Sequence, residues 1–332
     1  MLKAAIVGFG GVAQAAHVPA WGILEEKGIG RLAAACDIDP AQFDKKQQIN
    51  IGGGTGAAAL PTYTDMDEML EREKPDILDV CVPTPVHAAV AVDLLRRGYP
   101  VHCEKPMARS SVQCREMIDA ANESGSKLMI GQCLRFSPSY CFLKKVIDSN
   151  TFGKPLSAVF RRLSGPPIWG WDNWFMDHAR SGGCLLDMHI HDLDIARYLF
   201  GEPQAVSCVT QKIYAGDDVA HSRLLYEDMA VTAIGDWSQQ GVDFSADYRV
   251  GFETATVICE NDRVRVFPRS GEPWTPDLPE ENMYANELEY FLTTVLPGGE
   301  NTVNSPESAA HSVRLVEALK ESARRNGALL LF

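Results

Sequence analysis

The chain has 332 residues, of which 45% are hydrophobic, and its formal net charge is −13. This length suggests two domains with sizeable cores, and the acidic balance argues against nucleic acid and membrane surfaces as partners. The nine cysteines, with no C-x-x-C pair, are typical of reduced, buried thiols, and no run approaches the roughly 20 apolar residues of a membrane span, so we expect a cytoplasmic protein.

The first 130 residues alternate short apolar runs with helical patterns. Helical patterns at residues 87–97 and 112–123 are each closed by a glycine, as helix C-termini commonly are. A glycine-rich stretch at residues 51–61 has no strand leading into it, and we expect it to be a surface loop. Alternation of this kind predicts a doubly wound parallel sheet of the Rossmann type, with helices on both faces. The predicted strands cover residues 4–7, 32–36, 77–82, 101–103 and 128–130.

The pattern changes after residue 130. Strand-like runs now follow one another with short turns and no helices between them, which predicts a mainly antiparallel sheet. Ser305 and Pro306 have the residue types of a helix cap and a first helical position. We therefore expect an α/β protein with two domains, residues 1–130 and residues 131–332. The second domain has predicted strands at residues 157–163, 205–213, 229–237, 245–253, 254–260 and 263–267 and helices at residues 137–148, 282–295 and 306–325.

The stretch "GFGGVA" at residues 8–13 follows a predicted strand and opens a predicted helix, which is the context of a dinucleotide-binding fingerprint. Gly8 permits the tight turn, and Gly10 lets backbone N–H groups approach a pyrophosphate. Asp37 ends the second strand, where a carboxylate can accept both adenosine-ribose hydroxyls and would repel a 2′-phosphate. NAD is therefore favoured over NADP. Asp39 is the competing carboxylate, but its position suits capping of the following helix.

The tripeptide Glu104-Lys105-Pro106 directly follows the fifth predicted strand. Ligands of doubly wound sheets bind at the carboxyl ends of the strands, so we expect Lys105 to point into the cleft. An amine there can hydrogen-bond a substrate hydroxyl and stabilise developing charge. A solvated surface lysine is the alternative interpretation.

A polar segment, "SGGCLLDMHIHDLD", begins at Ser181. No Gly or Pro interrupts residues 184–200, and Gly201 supplies a stop, so we predict one helix of about four turns. On such a helix Asp187 and His191 share a face, whereas His189 points away from them. A histidine beside an aspartate is suited to acid–base chemistry near neutral pH. Because helical spacing separates His189 from the other two, we expect no metal site here.

An aromatic stretch precedes this helix and includes Trp171 and Trp174. Aromatic rings stack on the C–H surfaces of sugars, and the alternative for any one ring is core packing.

The chain as a whole resembles the glucose–fructose oxidoreductase / inositol dehydrogenase / rhizopine-catabolism (Gfo/Idh/MocA) family. "GFGGVA", Asp37, "PTPVH", "EKP", "LRFSP" and "GGCLLDMHIHDLD" occur in the order and spacing of that family. The family often carries Gly where this chain has His189, and Ser181 replaces the first residue of its usual glycine triplet. Together with the motifs, the resemblance implies catalytic Lys105, Asp187 and His191, cofactor contacts at Gly8, Gly10, Gly11, Val12, Asp37, Thr84, Pro85, His87 and Glu104, and substrate contacts at Arg135, Trp174 and Tyr284.

The resemblance also implies an N-terminal Rossmann domain and a C-terminal α/β domain with an open, mainly antiparallel sheet. We expect an NAD-dependent dehydrogenase or reductase that acts on a secondary alcohol of a sugar, polyol or inositol-like substrate. An NAD-dependent glycosidase of the same fold and a non-catalytic regulator that senses NAD or sugar are the alternatives. We expect a homodimer or homotetramer, because the open sheet must cover its second face.

Overall fold

The structure is a computed structural model that describes residues 1–45 and 60–332. The chain divides into two compact units. Of the glycine-rich loop predicted at residues 51–61, residues 51–59 lie outside the described residues. Unit 1 consists of Met1–Cys133, Trp169–Trp174 and Asn282–His311, and unit 2 consists of Leu134–Ile168, Phe175–Glu281 and Ser312–Phe332.

Unit 1 is built on a six-stranded parallel sheet. Its strands are β1 (Leu2–Val7), β2 (Gly30–Cys36), β3 (Thr62–Tyr63), β4 (Ile77–Val80), β5 (Val101–Glu104) and β6 (Leu128–Gly131). The order β3-β2-β1-β4-β5-β6, with parallel pairing throughout, confirms the predicted doubly wound sheet. The direction of winding reverses between β1 and β4, and ligands of such sheets bind beyond the carboxyl ends of the strands at that point. The two residues of β3 are too few to give a periodic signal, which is why this strand was not predicted.

The helices begin and end largely where the sequence signals place them. Ser110 accepts a hydrogen bond from the N–H of Gln113 at the start of α5, and Gly125 ends that helix with φ +71°. The Ser305 hydroxyl accepts the N–H of Ser308, as expected of a cap. The α-helices are α1 (Val18–Glu26), α2 (Ala41–Asp44), α3 (Met66–Glu73), α4 (His87–Arg96), α5 (Ser111–Ser124), α6 (Pro138–Asp148), α7 (His178–Ser181), α8 (Gly183–Asp187), α9 (Ile190–Phe200), α10 (Met283–Tyr290) and α11 (Pro306–Arg324).

Short segments of other helix types join some of these elements. A π-helical segment, Ala13–His17, leads into α1, and another, Phe291–Val295, continues α10. One 3₁₀ turn, Thr84–Val86, precedes α4. In the described part of the chain, no helix is both long enough and apolar enough to cross a membrane.

Unit 2 is built on an eight-stranded sheet. Its strands are β7 (Pro155–Leu163), β8 (Ala205–Gln211), β9 (Val219–Leu225), β10 (Ala230–Asp236), β11 (Ser245–Phe252), β12 (Ala255–Glu260), β13 (Arg263–Pro268) and β14 (Leu330–Leu331), in the order β13-β12-β11-β7-β10-β9-β8-β14. The pairings are antiparallel except that β7 and β10 are parallel, so the expectation of a mainly antiparallel sheet is confirmed. The sequence did not predict β9, because its buried positions Ala220 and Ser222 give a weak apolar signal.

The strands of this sheet alternate between a buried and a more exposed face, as expected when one face packs on a core. On β7, Ala158 and Phe160 are buried while Val159 and Arg161 are exposed. Helices α8 and α9 contact β7, β9 and β10. We call the face that bears Val159 and Arg161 the outer face of the sheet.

The single helix predicted for residues 184–200 is wrong: α8 and α9 are separated by Met188 and His189. The N–H of His189 donates to the carbonyl of Cys184, five residues back, which widens the turn. The His189 side chain is fully buried, with Nε2 3.1 Å from the Ser222 hydroxyl, and a Cβ added to Gly235 would lie 2.6 Å from its Cβ. Anchoring of His189 to the sheet therefore interrupts the helix. Gly201 ends α9 with φ +81°, as predicted.

Candidate active site

The glycine turn at residues 8–13 has the geometry of a dinucleotide-binding loop. Gly8 adopts φ +91°, and a Cβ there would lie 2.6–2.8 Å from backbone atoms of Cys81 and Val82. A Cβ added to Gly10 would meet no atom of the described residues within 4 Å, so this part of the structure leaves the backbone at Gly10 open to a ligand. Gly11 and Val12 then lead into the π-helical segment and α1. This open backbone at a helix start, beside the carboxyl ends of β1 and β4, fits a pyrophosphate.

Asp37 lies immediately after β2 and is held by two backbone groups. Its Oδ2 accepts the N–H of Phe9 at 2.7 Å, and its Oδ1 accepts the N–H of Asp39 at 2.9 Å. These bonds fix the carboxylate next to the glycine turn. Asp39 accepts the N–H of Ala41 and the side chain of Gln42 at the start of α2, which agrees with the capping role expected for it.

The loop after β4 contains the predicted cofactor contacts Thr84, Pro85 and His87. Thr84 and His87 are buried. The His87 ring lies 2.8 Å from the carbonyl oxygens of both Val82 and Pro106, so it braces the loops that follow β4 and β5. Burial lowers the pKa of His87, which favours its neutral form. His87 therefore supports the backbone around this region.

The EKP loop leaves the carboxyl end of β5. Glu104 is 4% exposed, and its Oε2 accepts the N–H of Lys105 at 3.0 Å. The peptide bond Lys105-Pro106 is cis. On the neighbouring strand, a Cβ added to Gly131 would lie 3.0 Å from Oε1 of Glu104. Lys105 thus follows a tightly enclosed carboxylate at the ligand-binding edge of the parallel sheet.

A buried group of ionisable side chains lies behind Glu104 and was not predicted from the sequence. His17 lies between Glu104 and Asp79, at 2.9 Å and 2.8 Å. Asp79 also accepts from the Trp21 indole at 2.8 Å and lies 2.9 Å from the His102 ring. We call His17, Asp79, His102, Glu104 and Glu287 the buried ionic chain. Its sequence signal was available, since Asp79 and His102 interrupt the apolar runs of β4 and β5.

The far end of the buried ionic chain is Glu287 on α10. Its Oε2 lies 3.7 Å from Nε2 of His102. Burial raises the pKa of Glu287 to about 7, although His102 opposes this shift. Burial opposes protonation of His102, but the hydrogen bond to Asp79 and the nearby Glu287 carboxyl group raise its pKa to about 9. Near neutral pH this end of the chain therefore holds a charged His102 beside a partly protonated Glu287.

In unit 2, Asp187 is the last residue of α8 and His191 is the second residue of α9. Asp187 is partly exposed and His191 is 8% exposed. The break between the two helices sets the direction of each side chain separately, so the shared face of a single helix no longer describes them. Their catalytic roles stay predictions.

Arg135, a predicted substrate contact, forms a buried ion pair with Asp194 on α9. The two guanidinium–carboxylate distances are 2.8 and 2.6 Å, and the Ser312 hydroxyl donates to the same carboxylate at 2.6 Å. The pair holds Arg135 against α9 and Ser312 of α11.

His189 faces the sheet, with Asp192 at 3.6 Å and Ser222 at 3.1 Å. Its contacts are those of a buried packing residue that also hydrogen-bonds. Among the described residues, the group of at least three ligand-type side chains whose ligand atoms all lie within 4.8 Å of one another is His17, Asp79 and Cys81 in unit 1.

Trp174 and Tyr284, the other predicted substrate contacts, are both in unit 1. Trp174 is 8% exposed. The Tyr284 ring lies 5.6 Å from the His17 ring, and burial with the neighbouring Cys133 raises its pKa well above the usual value. Tyr284 therefore packs against the buried ionic chain.

Comparison with known proteins agrees with this architecture. The family profile described as "Oxidoreductase family, NAD-binding Rossmann fold" matches residues 2–132, and the "GFO/IDH/MocA C-terminal domain" profile matches residues 140–265. Inositol 2-dehydrogenase of Rhizobium meliloti (strain 1021) is 29% identical over 81% of this chain and 82% of that enzyme. D-Apiose dehydrogenase of Paraburkholderia graminis is 27% identical over 97% of this chain and 88% of that enzyme.

The solved structure of aldose-aldose oxidoreductase from Caulobacter crescentus has the same fold, with a TM-score of 0.84 at 23% identity, and the match covers 100% of this chain and 99% of that one. Since the two family profiles together span most of the sequence, the resemblance inferred from the motifs is confirmed: this chain belongs to the Gfo/Idh/MocA family of NAD-binding oxidoreductases.

Proposed function

We propose that the protein is an NAD-dependent dehydrogenase or reductase that acts on a secondary alcohol of a sugar, polyol or inositol-like substrate. The observation that carries this proposal is the EKP loop at the carboxyl end of β5, two strands from the glycine turn in a parallel sheet. The related enzymes from Rhizobium meliloti and Paraburkholderia graminis are named for an inositol and for a branched sugar, which supports this substrate class.

The cofactor-binding roles fall to residues 8–12 and Asp37. Backbone N–H groups near Gly10 would hold the pyrophosphate, because a Cβ added there would meet none of the described residues within 4 Å. Asp37 accepts the ribose hydroxyls and disfavours a 2′-phosphate by charge repulsion. Thr84, Pro85, His87 and Glu104 shape the remainder of the cofactor site, the last two through the loop contacts described above.

The catalytic roles fall to Lys105, His191 and Asp187. Bound NAD supplies the group that accepts or returns a hydride. Lys105 hydrogen-bonds the reacting oxygen and stabilises the charge that develops on it. His191 holds the hydroxyl proton at an imidazole nitrogen, and Asp187 either binds the substrate or stabilises the imidazolium.

The remaining proposed roles concern substrate and assembly. Residues 1–130 would bind NAD, and residues 131–332 would bind the substrate and form the oligomer contacts. Trp174, Tyr284 and Arg135 would contact the substrate. The ion pair with Asp194 would hold the Arg135 side chain in place.

We propose a homodimer or homotetramer that associates through the outer face of the unit 2 sheet. This face combines the exposed Val159 with charged side chains, including the Arg161–Asp247 pair at 2.8 Å, and arginine is a frequent interface residue. Replacing Val159 with Asp should shift the protein toward monomer in light scattering. Val112→Asp, on the exposed surface of α5, is the control and should leave the mass unchanged.

The function is tested by assaying NAD reduction with a panel of inositols, sugars and polyols. Wild-type protein should show net NADH formation with at least one of them, and Lys105→Met should remove it while NAD still binds. Lys127→Met is the matched control, since Lys127 directly precedes β6 and therefore lies at the amino ends of the parallel strands, away from the proposed ligand site. Substrate turnover without net NADH formation would contradict the proposal, as would normal activity of Lys105→Met.

A further inference from the structure

The buried ionic chain lies entirely within unit 1, directly behind the EKP loop. His17 is completely buried between Asp79 and Glu104. We propose that His17 is a permanently protonated positioning residue, whose imidazolium fixes Glu104 and, through Glu104, the backbone at Lys105. The inference rests on the proposed catalytic role of Lys105.

The charge on His17 follows first from its hydrogen-bonding geometry. Nδ1 lies 2.8 Å from a carboxylate oxygen of Asp79, and Nε2 lies 2.9 Å from a carboxylate oxygen of Glu104. A neutral imidazole carries one N–H, so it can donate to only one of these acceptors. Both contacts are satisfied together when His17 is an imidazolium that donates from each nitrogen, and here, unlike at His87, both acceptors are carboxyl groups whose negative charge stabilises the cation.

The two carboxyl groups are already committed as acceptors. The Asp79 carboxylate accepts from the Trp21 indole at 2.8 Å and from the His102 ring at 2.9 Å. Oε2 of Glu104 accepts the Lys105 N–H at 3.0 Å. Both oxygens of Asp79 thus accept from donors other than His17. Burial raises the pKa of Glu104, but the hydrogen bond with His17 outweighs this and holds it below its usual value, so the shared proton belongs to the imidazole. Burial opposes a charge on His17, but the neighbouring Asp79 outweighs it and raises the pKa of His17 well above its usual value.

The consequence reaches Lys105 because Glu104 has little room to move. His17 holds one of its oxygens, the Lys105 N–H holds the other, and Gly131 lies against it on β6. A buried carboxylate that lost His17 would lack its charged donor, and it would have to take up a proton or leave its position. In either case the Lys105 N–H would lose its ionised acceptor. His17 therefore controls the placement of the loop that carries the proposed catalytic amine.

The same side chains could in principle hold a metal ion, since His17, Asp79 and Cys81 offer ligand atoms within 4.8 Å of one another. A metal would need a free lone pair on His17 and a thiolate at Cys81. Burial raises the pKa of Cys81 to about 12, and both His17 nitrogens face carboxylates. The geometry therefore favours the imidazolium. The other side chains around His17 are Trp21, His102 and Tyr284.

The charge state is tested directly by NMR on protein labelled with ¹⁵N at its eight histidines. At a pH about two units above the ordinary histidine pKa of about 6.5, exposed histidines are neutral. Wild-type protein should retain one fully protonated imidazole at that pH, besides a partly protonated His102. The fully protonated signal should persist in His102→Gln and disappear in His17→Gln. If His17→Gln does not fold, the absence of a fully protonated imidazole from the wild-type and His102→Gln spectra would still overturn the proposal.

The positioning role is tested by comparing the same two variants kinetically. Both remove a buried histidine that contacts Asp79, but only His17 also contacts Glu104. Misplacing a catalytic group by about 1 Å can cost about 10²-fold in rate, and we expect a kcat loss of that order in His17→Gln. The Kd for NADH, from fluorescence titration, should change little. His102→Gln should be destabilised yet keep most of its kcat.

Three outcomes would overturn the inference. One is a neutral His17 at the elevated pH, and another is an equal loss of kcat in the two variants, which would indicate a purely structural role. The third is stoichiometric metal in the wild-type protein that is absent from Cys81→Ser. Failure of the proposed function can be distinguished from failure of this inference. Normal turnover of Lys105→Met would contradict the catalytic role of Lys105, whereas the charge on His17 is read independently from the NMR spectrum.

Discussion

Removing the positive charge of Arg135 should destabilise unit 2 substantially. Arg135 is 3% exposed and Asp194 is 1% exposed, and two short hydrogen bonds join them. Breaking a buried ion pair by removing one partner typically costs about 3–5 kcal/mol, because the other charge stays buried without it. Ser312 still donates to Asp194, and one such hydrogen bond contributes about 1 kcal/mol. We therefore expect Arg135→Met to lose about 3 kcal/mol, near the lower end of that range.

The assay is urea unfolding, followed by tryptophan fluorescence and circular dichroism. Arg97→Met is the matched control, since Arg97 and Asp93 form an exposed pair at 3.0 Å and such pairs contribute under about 1 kcal/mol. The double variant Arg135→Met/Asp194→Leu should recover part of the loss, because it removes the buried charge as well.

The same variant separates two roles for Arg135. If the ion pair with Asp194 is its main role, the free energy of unfolding falls and the KM of the remaining folded enzyme changes little. The opposite result is that Arg135→Met unfolds at the same urea concentration as the wild type while the KM for the substrate rises strongly. That result would refute the reasoning from burial and make Arg135 a direct substrate ligand.

Three further predictions concern single residues. Asp37→Ser should lower the preference for NAD over NADP, measured as the ratio of kcat/KM values, because the repulsion of a 2′-phosphate is removed; an unchanged ratio would exclude Asp37 as the ribose ligand. His191→Ala should reduce the oxidation rate by about 10²–10⁴-fold and remove the acidic limb of its pH profile, whereas near-normal turnover would refute its assignment as base. The raised pKa of His102, about 9 against an ordinary 6.5, adds stability that is fully present below pH 6.5 and is lost as the pH rises through about 9. The Tm should therefore fall over this interval, and His102→Gln should flatten the fall; equal slopes in both proteins would contradict the assigned shift.

The parallel sheet could be predicted from the sequence because its signals are local. Five of its six strands are short apolar runs, and helices between them have a cap or a glycine stop of their own, as α5 has at Ser110 and Gly125. The glycine turn and the EKP loop could also be located, since each follows a strand directly. The comparison with known families confirms the fold and the family that these motifs indicated.

The features that were missed depend on contacts between distant parts of the chain. The break before α9 arises because His189 is anchored to Ser222 and packed against Gly235, on two strands that come later in the sequence. The parallel pairing of β7 with β10 is likewise invisible to periodicity, which reports faces and not neighbours. The resemblance placed Arg135 at the substrate site, but its ion pair with Asp194, 59 residues away in the chain, could not be predicted from the sequence.

The buried ionic chain was missed for a related reason. Its members come from the π-helical segment before α1, from β4 and β5, and from α10. Individually they look like ordinary polar residues of strands and helices. Only the fold brings His17 and Glu104, which are 87 residues apart in the chain, into contact.

The contribution of α10 to unit 1 bears on how the chain can fold during synthesis. Leu288, Phe291 and Leu292 pack in the same core cluster as Ile6 and Trp21 of the first strand and helix. A ribosome that has released only the first 133 residues has therefore made all six strands of the parallel sheet but not the segment that closes their core. The core of unit 1 can therefore be completed only after residues 134–281, most of which belong to unit 2, have been translated. A gene fragment that ends near residue 133 should consequently produce a protein with an exposed apolar surface, to which chaperones bind. We therefore expect that residues 1–133 do not fold as an independent domain.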